Sequence, residues 1–168
     1  MADVRLICST PAAPWLPPGS TAEAWAGLDC AVPEPSIIVR LLLSRPTHRG
    51  SEFFCVPTER GLDLPSLALA TGPDRSSTAD GLAALASSTH GRGRLEHRCV
   101  GYIRNVVPTP DPSYPHPSPW AHVPVFVPAK AVEPTRDGVW RTLDAARAEL
   151  SARHWWPIVE HDLTPAAT

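Results

Sequence analysis

No apolar run in this chain approaches the roughly 18 residues needed to cross a membrane as a helix, so a membrane partner is not expected. Charge is scarce: Asp, Glu, Lys and Arg make up 19% of the residues and the net charge is -2. A non-specific nucleic-acid binder needs a concentrated basic face, so that class is set aside as well. Local arginine clusters still leave small anions open as ligands. Cys8, Cys30, Cys55 and Cys99 form no CxxC pair, and the seven histidines show no zinc spacing. The opening Met1-Ala2-Asp3-Val4-Arg5 lacks a charged region followed by an apolar signal segment, so the cytoplasm is the expected compartment and the cysteines are expected reduced. There is no G-x-S-x-G nucleophile turn, no phosphate-binding Walker loop and no GxGxxG. One further absence carries the most weight: no Asp or Glu lies between Gly81 and Leu95.

What is present is enough apolar residue, 43%, for a core, together with 21 prolines that commit much of the chain to loop. At 168 residues one domain is expected, spanning 36–163, with a Pro-rich N-terminal arm over 1–35 packed on it and a tail over 164–168. Within the arm, Val4–Cys8 reads as a short strand. Pro11, Pro14, Pro17 and Pro18 stop regular structure after it, and Thr21 caps a short helical turn through Trp25. The aliphatic run Ile37–Leu43 predicts a strand buried on both faces. Phe53–Val56 predicts a shorter strand ending at Pro57. Ser77 or Thr78 caps a helix in which Leu82, Leu85 and Ala86 share a face, and Gly91 stops it.

From Glu96 the period becomes two, placing Glu96, Arg98, Val100, Tyr102 and Arg104 on one face of a long strand. The proline-rich stretch 108–119 is stiff and extended, and joins this strand to Trp120–Val127 over the top of the expected site. Two closing helices are expected over Thr142–Leu150 and His154–Leu163.

This order of elements resembles the Nudix hydrolase superfamily. Val56-Pro57-Thr58 stands like the family's Leu-Pro-Gly before its motif. Asp137 to Asp144 resembles the late strand and the start of the closing helix. Arg153-His154-Trp155-Trp156-Pro157 is similar to an ending found in actinobacterial Nudix-type proteins. The family signature is G-x5-E-x7-R-E-U-x-E-E-x-G-U, with U a bulky aliphatic residue. Its glutamates hold divalent metal ions that bridge diphosphate oxygens. With the later glycine on Gly91, Ser88 and Thr89 stand where the paired glutamates belong. Ala84 and Leu85 replace the Arg-Glu pair, Ser76 the first glutamate, Ala70 the first glycine and Arg92 the last aliphatic residue. The resemblance implies an α/β chain with a Nudix-like α/β/α sandwich and a mixed sheet, with the motif emptied of its ligands.

Three functions follow as expectations. The first is a divergent Nudix-like protein that binds a small phosphorylated or nucleotide-like molecule, with Arg98, Tyr102 and Arg104 as a phosphate fork and stacking ring and Ser88 and Thr89 as a remodelled pocket wall. The bland alternatives are an Arg–carboxylate network for the former and plain helix surface for the latter. The second is a hydrolase of nucleoside diphosphate derivatives that uses Mg or Mn on displaced carboxylates, for which Glu59, Asp63 and Glu96 are the candidates. Ordinary surface acids are the alternative there. The third is a protein-interaction module built on the 108–119 segment and the tryptophans. His122 is expected partly buried and hydrogen-bonded. Of Trp155 and Trp156, one is open to a cleft wall or a homodimer contact, with core packing the simpler role for both.

Overall fold

A computed structural model describes residues 3–166. Met1 and Ala2 of the arm, and Ala167 and Thr168 of the tail, lie outside the described residues. The chain is mixed α/β and mostly strand. Its elements are β1 (Arg5–Pro11), β2 (Thr21–Cys30), β3 (Ile38–Leu41), β4 (Ser44–Thr47), β5 (Gly50–Thr58), β6 (Gly61–Asp63), β7 (Ser66–Ala68), α1 (Thr78–His90), β8 (His97–Val106), β9 (Trp120–Pro128), β10 (Val139–Thr142), α2 (Leu143–Leu150) and α3 (Trp156–Leu163). Among the described residues no helix is long and apolar enough to cross a membrane.

Six strands form one mixed sheet in the order β1-β2-β8-β9-β3-β7. The β3–β9 pair is parallel and the others are antiparallel. A smaller antiparallel sheet runs β10-β5-β4, and β6 pairs the far end of β5.

The large sheet is covered on both sides. On one face Ala22, Ala24, Val100, Ile103, Val123 and Val125 pack against α2, α3 and Phe53 and Cys55 of β5. On the other, Val39, Leu41, Cys99, Tyr102 and Phe126 pack against Leu85 and Ala86 of α1. Gly81 lets α1 approach the sheet closely, because a Cβ there would run into the Leu69 side chain. Ser77 caps α1 by accepting from the Asp80 N–H, and Gly91 ends it in the left-handed conformation at φ 76°. Thr142 caps α2 in the same manner.

The first 35 residues depart from the expected arm. Thr21–Cys30 is a ten-residue strand, not a helical turn, and it lies inside the large sheet between β1 and β8. Alternation decides this: Ala22, Ala24 and Ala26 are nearly fully buried on the core face, while Thr21, Glu23 and Trp25 point the other way. Trp155 and Trp156 are both core residues, meeting Phe53 edge-on, so neither offers a dimer contact.

Candidate functional site

The expected strand face does not form as one surface. Cys99 pairs with Phe126 and Gly101 with Val125, so Val100 is an extra residue, a β-bulge. The bulge inverts the alternation. Cys99, Tyr102 and Arg104 therefore share one side of the sheet, while Val100 and Ile103 lie on the other. Arg98, on the far side of the bulge, is exposed and donates to the Leu28 carbonyl at 2.6 Å.

Tyr102 and Arg104 do meet, but their groups are already engaged. Arg104 lies over Trp120 at 4.1 Å and Trp25 at 5.2 Å, donates to His122 Nε2 at 3.1 Å and faces Glu23 at 3.9 Å. Tyr102 stacks on Trp25 and meets His122 edge-on. His122 is buried and bonds the Pro35 carbonyl, as its alternation predicts, and burial holds its pKa below the usual histidine value. Within this cluster the Arg104 guanidinium is surrounded by the rings of Trp25, Tyr102 and Trp120.

Ser88 is exposed on α1 and its hydroxyl donates back to the Leu85 carbonyl. Thr89 is fully buried and its carbonyl accepts from the Thr135 N–H. The two do not line one pocket wall.

A cleft of about 720 Å³ opens on the opposite face of the sheet instead. Its floor is Ile103 and Asn105 of β8, Val123 of β9, and Ile38 and Arg40 of β3. The β5–β6 turn, with Thr58, Glu59, Arg60 and Asp63, makes one wall. Arg153 and His154, between α2 and α3, make another. Tyr114 and His116 of the proline-rich segment roof it, and Trp15 and Leu16 close a side.

Arg40 organises one end. It sits in the middle of an aliphatic strand, and a buried guanidinium there must be paired. Its side chain donates to Asp63 at 2.9 Å and to Ser66 at 2.7 Å. Asp63 also accepts from Trp155 Nε1 at 2.7 Å and from the Leu64 N–H at 2.8 Å, and it faces Arg153 at 3.6 Å. Arg153 in turn donates to the carbonyls of Arg60 and Leu62, pinning the β5–β6 turn to the α2–α3 junction. Burial pulls Arg40 below the ordinary arginine pKa, and the adjacent carboxylate opposes that shift. His154 is pushed down to about 4 by burial and by the charges of Arg40 and Arg153. Its Nε2 lies 3.2 Å from Arg40, which can only donate, so the neutral ring accepts there and carries its proton on Nδ1.

The displaced-carboxylate set does not assemble around a metal ion. Asp63 is held by Arg40, Trp155 and a backbone N–H. Glu59 stands exposed on the cleft wall, and Glu96 is exposed on the turn before β8, outside the cleft. Among the described residues no three His, Cys, Asp or Glu side chains gather in a way that would hold a metal.

Among the described residues six buried side-chain polar atoms lack a hydrogen-bond partner, and four of them belong to residues lining this cleft: Arg40 Nε, Asn105 Oδ1, Tyr114 OH and His116 Nδ1. A buried polar group without a partner costs about 1–3 kcal/mol. Four such groups belong to residues around one cavity, enclosed within its walls. Composition could not show this, but one signal was legible: Arg40 alone within Ile37–Leu43 had to have a buried partner and a reason. No protein-family model matches the chain, and no curated protein matches it.

Proposed function

We propose that this cleft binds a small phosphorylated or nucleotide-like molecule, in a divergent Nudix-like α/β/α sandwich of the cytoplasm. The gathering of three guanidiniums, Arg40, Arg60 and Arg153, in one cleft with an apolar floor carries the reading. The emptied motif on α1 is consistent with it, because the binding surface lies on the other side of the sheet from that helix.

The cleft is polar at two ends and apolar between them. Arg40 registers with Val125 on β9, and Asn105 with Ala121. Four residues of strand separate these levels, about 13 Å at the usual rise. Arg40, Arg60 and Arg153 make the first end cationic, against Asp63 and Glu59. An anionic group accepts from these guanidiniums there. Ile38, Ile103 and Val123 give the middle an apolar floor, suited to a ring or a sugar carbon face. At the far end Asn105, Tyr114 and His116 offer both donors and acceptors to a neutral head group. Keeping His154 neutral leaves its Nε2 as an acceptor for Arg40 instead of adding a fourth cation.

Magnesium or manganese enters only under the alternative, a hydrolase, and the arrangement of Glu59, Asp63 and Glu96 gives that alternative little support. The 108–119 segment turns Tyr114 and His116 into the cleft, which favours a roof over a docking peptide.

The test is a thermal-shift panel of inorganic diphosphate, nucleosides, and nucleoside mono- and diphosphates, with and without magnesium, alongside assay of released phosphate. Stabilisation by phosphorylated nucleosides, without metal and without turnover, is the expected result. Magnesium-dependent release would replace this reading with the hydrolase. No shift with any compound would remove it.

A further inference from the structure

On the face of the sheet away from the cleft, Cys30 at the end of β2 and Cys99 of β8 are directly opposed across an antiparallel ladder. Both are free thiols and more than nine-tenths buried. Directly opposed residues in such a ladder have Cα atoms about 4.5 or 5.5 Å apart. A disulfide accepts Cα separations of about 4.4–6.8 Å, so either kind of pair falls inside its range. The register breaks on one side of this pair, in the interval between Ala26 and Cys30 on β2 and between Cys99 and Gly101 on β8. The paired cysteines therefore sit in a locally irregular stretch that tolerates small adjustments in strand position.

We infer that Cys30 and Cys99 are a dithiol site that closes to a cross-strand disulfide on exchange with a small-molecule disulfide such as oxidised glutathione. The Cys99 S–H donates to the Gly101 carbonyl at 3.3 Å, and the interaction between the two thiols lowers the Cys30 pKa and raises that of Cys99. Cys30 is also the more approachable of the two, because Leu28, Asp29, Ala31 and Val32 around it are exposed. The Cys30 thiolate attacks one sulfur of the reagent and expels one thiolate, giving a mixed disulfide on Cys30. Cys99 Sγ then attacks Cys30 Sγ and expels the second thiolate, which takes up the proton that Cys99 loses. Two S–H bonds are lost, one S–S bond forms, and the reagent is reduced to two thiols. Cys8 and Cys55 have no cysteine facing them in their ladders: Cys8 pairs with Ala24 and Cys55 with Val139. The site shares no residue with the cleft, so it stands or falls independently of the proposed function.

The experiment incubates the folded full-length protein with oxidised glutathione at mildly alkaline pH, followed by intact mass and peptide mapping without reduction. Loss of two hydrogens, a Cys30–Cys99 linked peptide, and a raised urea midpoint that reverts with a dithiol reductant are expected. The Cys99→Ala variant is expected to stop at the glutathione adduct on Cys30. A wild-type chain that keeps all four thiols, accumulates only the Cys30 adduct, or links a different pair would overturn the inference.

Discussion

Arg40 is 6% exposed and its nearest carboxylate is Asp63, so the two stand or fall together. Removing one member of a buried pair strands the other charge, which costs about 3–5 kcal/mol. Asp63→Ala is therefore expected to lose that much stability in urea unfolding, with the Trp155 N–H also left unpaired. A loss below about 1 kcal/mol would mean that Arg40 finds water. His154 gives this network a pH dependence. Its folded pKa of about 4 lies below the ordinary histidine value of 6.5, so the unfolded chain binds the extra proton between those values. Stability is then full above about pH 6.5 and falls as the pH drops toward 4, by of the order of 1 kcal/mol per unit. His154→Gln cannot charge and is expected to flatten that slope, read from unfolding free energies at pH 7 and pH 5. An unchanged slope would place the acid sensitivity in His90 or His122, whose pKa values are also lowered by burial.

At the scale of elements, much was legible where local chemistry and packing agree. Ser77 and Gly91 bound α1, Thr142 opens α2, and the aliphatic run makes β3, all as their residue types predict. Two features were not legible. Thr21–Trp25 is rich in helix-favouring Ala and Glu, yet the sheet takes it as β2 because alternate alanines fit against the core. The β8 bulge at Val100 depends on pairing with β9, which a single strand's alternation cannot reveal, and it separates Arg98 from Tyr102 and Arg104. The 108–119 segment matters through its side chains and not its backbone. Tyr114 is half-buried with its hydroxyl unpartnered, and burial raises its pKa. Exchanging Tyr114 and His116 together for Ser is expected to leave the unfolding free energy within about 0.5 kcal/mol of wild type, as substitutions outside the core usually do, while weakening ligand binding. A collapse in stability would instead make the segment part of the core.

For the whole molecule, the large sheet separates two chemistries. One face carries α1, the Tyr102–Arg104 aromatic cluster and the Cys30–Cys99 pair. The other carries α2, α3, the small sheet and the cleft. The resemblance to the Nudix pattern pointed at α1, whereas the unsatisfied polar atoms gather on the opposite face. The most direct test is calorimetric titration of the tightest nucleoside phosphate from the panel into four proteins: wild type, Arg60→Ala, His116→Ala and Arg98→Ala. Arg60 and His116 line the cleft and Arg98 does not. Loss of a charge-assisted hydrogen bond is worth about 1.5–3 kcal/mol. Arg60→Ala is therefore expected to weaken binding by about 10-fold or more, His116→Ala by a smaller factor, and Arg98→Ala not at all. Binding that survives both cleft substitutions, or falls with Arg98→Ala, would contradict the assignment of the cleft.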